Sequence, residues 1–163
     1  MIQQQINEPE FDFVSESDKR FIIAFVTELE ALGYTYDDTI GSGFCWGSHM
    51  LIFRKANVKS KNVVARIYIR EKSLVLRLFF NNVTKHAAFV SATPEYIKNV
   101  FIGNYGTCKH CKGDNCKFRK DYEIDGVQYE KCNGTTFEFY EPTVERLPDY
   151  IALFREFYKP NNR

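Results

Sequence analysis

Two stretches of strict alternation do most to limit what this chain can become. In 63–70, Val63, Ala65, Ile67 and Ile69 alternate with Val64, Arg66, Tyr68 and Arg70; in 74–80, Leu74, Leu76, Leu78 and Phe80 alternate with Val75, Arg77 and Phe79. A period of two belongs to a β-strand, whose successive side chains leave opposite faces, and a one-residue slip would turn every apolar group to the wrong side. The two strands are therefore expected to pair with their Ile and Leu sets on one face. A three-residue turn would set Arg70 against Leu74 and mix the faces. A two-residue turn at Lys72 and Ser73 keeps them apart, pairing Ile69 with Leu76 and Ile67 with Leu78. Lys-Ser lacks the glycine or asparagine that a tight primed turn favours, so a bulge of the same parity serves equally. Either way Arg66, Tyr68, Arg70, Val75, Arg77 and Phe79 share the face opposite the apolar one.

The rest of the chain divides by period. Tyr34 to Ile40 and His49 to Arg54 are two further strands. Phe21, Ile22, Phe25, Val26, Leu29 and Leu32 form one helical stripe behind the N-cap residues Ser15 and Ser17, and Gly33 supplies the left-handed residue that ends it. Residues 1–14 show no period and are read as a tail. Thr93, Pro94 and Glu95 open a second helix running from Pro94 to about Ile102 and ended by Gly103, while 84–92 fit a helical turn or a loop equally well. Asp125-Gly126 is a primed turn between Tyr122/Ile124 and Val127/Tyr129, making Lys120 to Cys132 a hairpin. Thr135 to Tyr140 is another strand. Leu147, Tyr150, Ile151, Phe154 and Phe157 mark a last helix. Because Pro148 cannot lie deep within it, either that helix begins at Pro148 or Thr143 to Leu147 form a separate tight turn. The expected architecture is α+β: a single domain over 15–163, with an antiparallel sheet, about three helices and a four-cysteine zinc-knuckle and hairpin insert at 106–134.

That insert holds four of the five cysteines, spaced Cys108-x2-Cys111-x4-Cys116-x15-Cys132. Cys108 and Cys111 have the spacing at which a tight turn aims two thiolates at one ion, with Gly106 and Gly113 giving the backbone freedom. Folding about Asp125-Gly126 sets residue 119 opposite residue 132 and so brings Cys132 back towards Cys116. Lys109, Lys112, Asp114, Asn115, Lys117 and Lys120 make the segment too polar for these to be ordinary buried cysteines. The expected ligands are Cys108, Cys111, Cys116 and Cys132, with His110 a weaker candidate for one position. They would hold one Zn(II) per chain, iron or an iron-sulfur cluster being the alternative. Four protein ligands leave no open position for water, so the zinc is structural. Four thiolates and Zn(II) sum to −2, which Lys109, Lys112, Lys117, Arg119 and Lys120 would offset, phosphate contact being the alternative.

The balance of 22 Lys and Arg against 21 Asp and Glu conceals strong local charge. Residues 1–41 carry −7, 54–80 carry +7, 109–120 carry +4 and 121–163 carry −4. The basic block makes Arg66, Tyr68, Arg70 and Arg77 candidates for binding an anionic ligand or single-stranded nucleic acid, guanidinium groups meeting phosphates while the ring stacks on a base. A solvated sheet face, or one covered by the acidic N-terminal or C-terminal helix, is the competing expectation. The run Gly41 to His49 offers Cys45 as a nucleophile with His49 as base, although on one strand they would stand roughly 13 Å apart and would need a turn between them. His86 is read as structural. The absence of any run of roughly 20 apolar residues argues against a membrane partner, and the polar, acidic first 15 residues lack the pattern of a secretory leader and point to the cytoplasm. The expected function is a cytoplasmic binding or regulatory module with structural zinc; a Cys45-dependent enzyme and an iron-sulfur redox protein are the alternatives.

Overall fold

The computed structural model describes residues 1–43, 47–56, 62–102, 120–131 and 136–158. In chain order they form α1 (Ile2–Gln5), a 3-10 turn (Pro9–Phe11), α2 (Glu16–Ala31), β1 (Tyr34–Thr35), β2 (Gly41–Ser42), β3 (His49–Lys55), β4 (Val63–Ile69) and β5 (Leu74–Phe79). A 3-10 turn (Val83–His86), α3 (Ala87–Ser91), α4 (Glu95–Ile102), β6 (Lys120–Ile124), β7 (Val127–Lys131), β8 (Thr136–Tyr140), a 3-10 turn (Val144–Arg146) and α5 (Leu147–Phe157) follow. The fold is α+β, as expected, with five helices among the described residues where about three were expected. The two additions, α1 and α3, are too short to show a stripe.

Among the described residues six strands make one antiparallel sheet in the order β1-β3-β4-β5-β8, with β2 also on β3, and β6-β7 form a separate hairpin. Leu51, Phe53, Ile67, Leu76, Leu78 and Phe137 lie in one apolar core with Phe21 and Phe25 of α2, Phe101 of α4, and Leu153 and Phe154 of α5. Among the described residues, a distinct second cluster on the opposite face consists of Met50, Tyr68 and Val75 with Ile52 against them.

Parity across β4 and β5 is as the alternation requires, but the register is two residues tighter. Ile69 pairs with Leu74, Ile67 with Leu76 and Ala65 with Leu78, in place of the expected Ile69–Leu76 and Ile67–Leu78 pairs. Glu71 and Lys72 form the turn, closed by the Arg70 amide donating to the Ser73 carbonyl at 2.9 Å. This register keeps every apolar partner while bringing Leu74 into the ladder and leaving two charged residues in solvent, and the turn uses no positive φ.

Residues 1–14 are folded, not a tail. Ile6 is fully buried, Ile2, Phe11 and Val14 also enter the core, and Tyr36 Oη donates to Gln5 Oε1 at 2.6 Å. The expected strand over 34–40 is broken because Asp37 and Asp38 are left-handed, at φ 62° and 54°. Asp and Asn tolerate that region better than most residues. α2 begins as read, its Ser15 Oγ accepting from the Asp18 amide at 3.2 Å, and Gly33 follows its end at φ 92°. Residues 84–92 are helical throughout most of their length. Both alternatives at the last helix are realised: Thr143 caps a 3-10 turn, and Pro148 lies in the first turn of α5.

The hairpin has the expected register, with Ile124 opposite Val127 and Lys120 opposite Lys131 about Asp125 (φ 54°) and Gly126 (φ 78°). It is fastened to α3 and α4. Tyr122 Oη donates to the Phe101 carbonyl, and the Asp125 carboxylate accepts from Ser91 Oγ at 2.7 and 2.9 Å and from Lys98 Nζ at 3.0 Å.

Candidate ligand face of the sheet

The outer face is ordered by register into two rows that cross four strands. One row runs Ile52, Arg66, Arg77, Glu138; the other runs Met50, Tyr68, Val75, Tyr140. Arg66 and Arg77 are thus direct cross-strand partners, an arrangement in which like charges repel. The Tyr68 hydroxyl separates them, accepting from Arg66 Nη1 at 3.2 Å and from Arg77 Nη1 at 3.3 Å. Arg77 Nη2 meets Glu138 Oε1 at 3.3 Å, with the two side chains only 15% and 10% exposed. The Arg66 guanidinium lies 5.4 Å from the Phe79 ring centre and that of Arg77 lies 5.9 Å from the ring of Tyr68.

Three of the four expected residues therefore come together. Arg70 stands apart, exposed beside the Glu71-Lys72 turn. Tyr68 is 2% exposed and its hydroxyl is engaged, so little of its ring is presented for a base to stack on. At the rim, the Tyr140 phenol is held above its ordinary value, first by desolvation and then by Glu138, with Arg70 and Arg77 pulling the other way. Glu138 escaped the sequence reading. Its place between Phe137 and Phe139 pointed it outward, but nothing local to it announced that β8 lies beside β5.

The Arg66 side chain has an unmet need. Its Nε, like that of Arg77, is shielded from solvent without a hydrogen-bond acceptor, and unlike Arg77 it has no carboxylate paired with it among the described residues.

His49 turns its Nδ1 to Ser48 Oγ at 2.9 Å and its Nε2 to Glu10 Oε2 at 3.5 Å, with the Phe11 ring edge-on at 4.8 Å. Both ring nitrogens thus face groups other than a thiol, and Cys45 lies outside the described residues. The chain does turn here, since the Gly43 amide donates to the Ser48 carbonyl at 3.0 Å. Gly47 is required at this point, because a Cβ would stand 2.6 Å from the Ile69 carbonyl oxygen. His86 is paired, its Nδ1 2.7 Å from Glu156 Oε2 and its ring 4.4 Å from that of Phe157, beside a cleft of about 410 Å³.

Cys108, Cys111, Cys116, Cys132 and His110 also lie outside the described residues. Among the described residues no group of three His, Cys, Asp or Glu side chains could hold a metal ion. The hairpin joining the third cysteine to the fourth is described, and its open end is the Lys120–Lys131 pair, four residues after Cys116 and one before Cys132. No helix among the described residues is long and apolar enough to cross a membrane. No protein-family model, curated protein or solved structure matches the chain.

Proposed function

We propose that this protein is a binding or regulatory module of the cytoplasm, with its cysteine segment held by one structural Zn(II) on Cys108, Cys111, Cys116 and Cys132 and its outer sheet face serving as the ligand face. The observation that carries this reading is the hairpin register: pairing Lys120 with Lys131 returns the chain after fifteen intervening residues to within a few residues of Cys116. Ligand spacing of this kind, closed by a hairpin, supports a single tetrahedral ion of the zinc-knuckle type. A closed four-thiolate set leaves the metal no catalytic position, and its energy goes into holding a polar segment that has little apolar surface to bury.

Elemental analysis of protein purified without chelator tests the reading. One zinc per chain and no visible absorbance is the expected result. Iron with a brown colour would replace zinc by an iron-sulfur centre, and neither metal would overturn the reading. Cys111→Ser is expected to lose most of the bound zinc and to lower the melting temperature, because three thiolates leave an open position and a weaker site. Cys45→Ser keeps its zinc. Release of zinc by Cys45→Ser but not by Cys132→Ser would put the fourth ligand elsewhere.

A further inference from the structure

We infer that the Arg66–Arg77 pair on the outer sheet face is the seat of one small oxyanion, the carboxylate or phosphate group of a metabolite-sized ligand, and that this face does not track a nucleic-acid backbone. The inference rests on the reading of this face as the ligand face and names what it takes.

Charge comes first. The row Arg66, Arg77, Glu138 holds two guanidinium groups and one carboxylate, and the carboxylate is committed to Arg77 at 3.3 Å. Arg66 is left with a neutral hydroxyl at 3.2 Å, an aromatic face and a shielded Nε that lacks an acceptor. A sheltered cation without a paired carboxylate costs the fold free energy, and an anion meeting its outer Nη groups supplies the missing charge. The guanidinium fork matches two oxygens of a carboxylate or phosphate, which an ammonium group does not.

Spacing decides between one anion and many. Nη1 of Arg66 and Nη1 of Arg77 both lie within 3.3 Å of the same tyrosine oxygen, so the two cations converge on one place. A single-stranded polyanion rewards charges strung along its backbone, together with exposed rings for its bases. Here the ring between the arginines is 2% exposed and Arg70 lies away from the pair, at the turn. Tyr68 thus serves as a spacer that fixes two like charges at a set separation, and the site is built for a compact group.

The test titrates the full-length, metal-analysed protein with inorganic phosphate and, separately, with succinate, at constant ionic strength. Binding is followed by calorimetry and by the Arg66 Nε–H resonance. One of the two probes is expected to bind one per chain and to move that resonance, phosphate identifying a phosphate ligand and succinate a carboxylate. Arg66→Lys, which keeps the charge but not the fork, is expected to weaken binding roughly tenfold or more, while Arg70→Ala leaves it unchanged. If Arg66→Lys does not fold, the wild-type resonance decides alone. The inference falls if neither probe binds, if binding leaves the Arg66 resonance unmoved, if Arg66→Lys binds as tightly as wild type, or if oligothymidylate binds with a salt slope of several phosphates. Zinc without anion binding would overturn this inference and leave the zinc-held segment standing; anion binding without zinc would overturn the structural zinc and leave the ligand face standing.

Discussion

Asp125 occupies the left-handed first position of its turn at φ 54°, and its carboxylate accepts from Ser91 and Lys98. The Ser91 hydroxyl and then Lys98 hold that carboxyl below its ordinary value. A carboxyl depressed in the folded state favours folding above its unfolded value, about 3.9, and that contribution is lost as the pH falls through the lower folded value. Asp125→Asn, which still tolerates positive φ, is expected to melt below wild type at pH near 7, with the gap narrowing as the pH is taken to roughly 3 and beneath. Thermal melts at both pH values check this, and a gap independent of pH would assign the loss to the side chain's shape instead. The turn itself was legible, because Asp-Gly carries its own backbone signal. The clamp was not, since its partners lie 34 and 27 residues earlier and no local rule joins them. The setting of Tyr68 was hidden for the same reason: alternation gave its face but could not reveal that two arginines donate to its hydroxyl.

Among the elements, α2 was readable from end to end because cap, stripe and terminal glycine agree. The first fourteen residues were not. Their buried positions, Ile2, Ile6, Phe11 and Val14, follow no single period, because Pro9 divides a short helix from a 3-10 turn. Each piece contributes one or two side chains to a core that others build, and a segment held in that manner has no signature of its own. Ile6→Ala is therefore expected to cost about 2–5 kcal/mol, the range for truncating a fully buried aliphatic side chain, whereas an exposed change such as Gln3→Ala should stay within about 0.5 kcal/mol. Urea denaturation of the two variants measures the difference, and equal small losses would return the segment to the status of a tail. The same limit applies to the strand expected over 34–40. Its alternation was present, and two successive aspartates in the left-handed region broke it.

At the scale of the whole molecule, the sequence distinguished the two faces of the sheet but not the order of its strands. β8 reaches β5 from far along the chain, pairing Tyr140 with Val75, and only that long-range contact brings Glu138 to Arg77. The ligand face was thus half legible, its arginines visible in the alternation and its carboxylate supplied by topology. The break at Asp37 and Asp38 also bears on how copies of the chain meet. Among the described residues the sheet beyond β3 ends in two pieces of two residues each, β1 and β2, with the Asp37 carboxylate turned to Arg54 at 3.2 Å. A neighbouring chain that tried to add a strand along this side would find no continuous row of amides and carbonyls to join, and it would meet charge where it needed a flat ribbon. The kink acts as a guard against edge-to-edge association. Replacing it with strand-forming residues, as in the double substitution Asp37→Thr with Asp38→Val, is expected to increase concentration-dependent self-association over wild type in light scattering. Equal scattering from the two proteins would mean that the guard lies elsewhere.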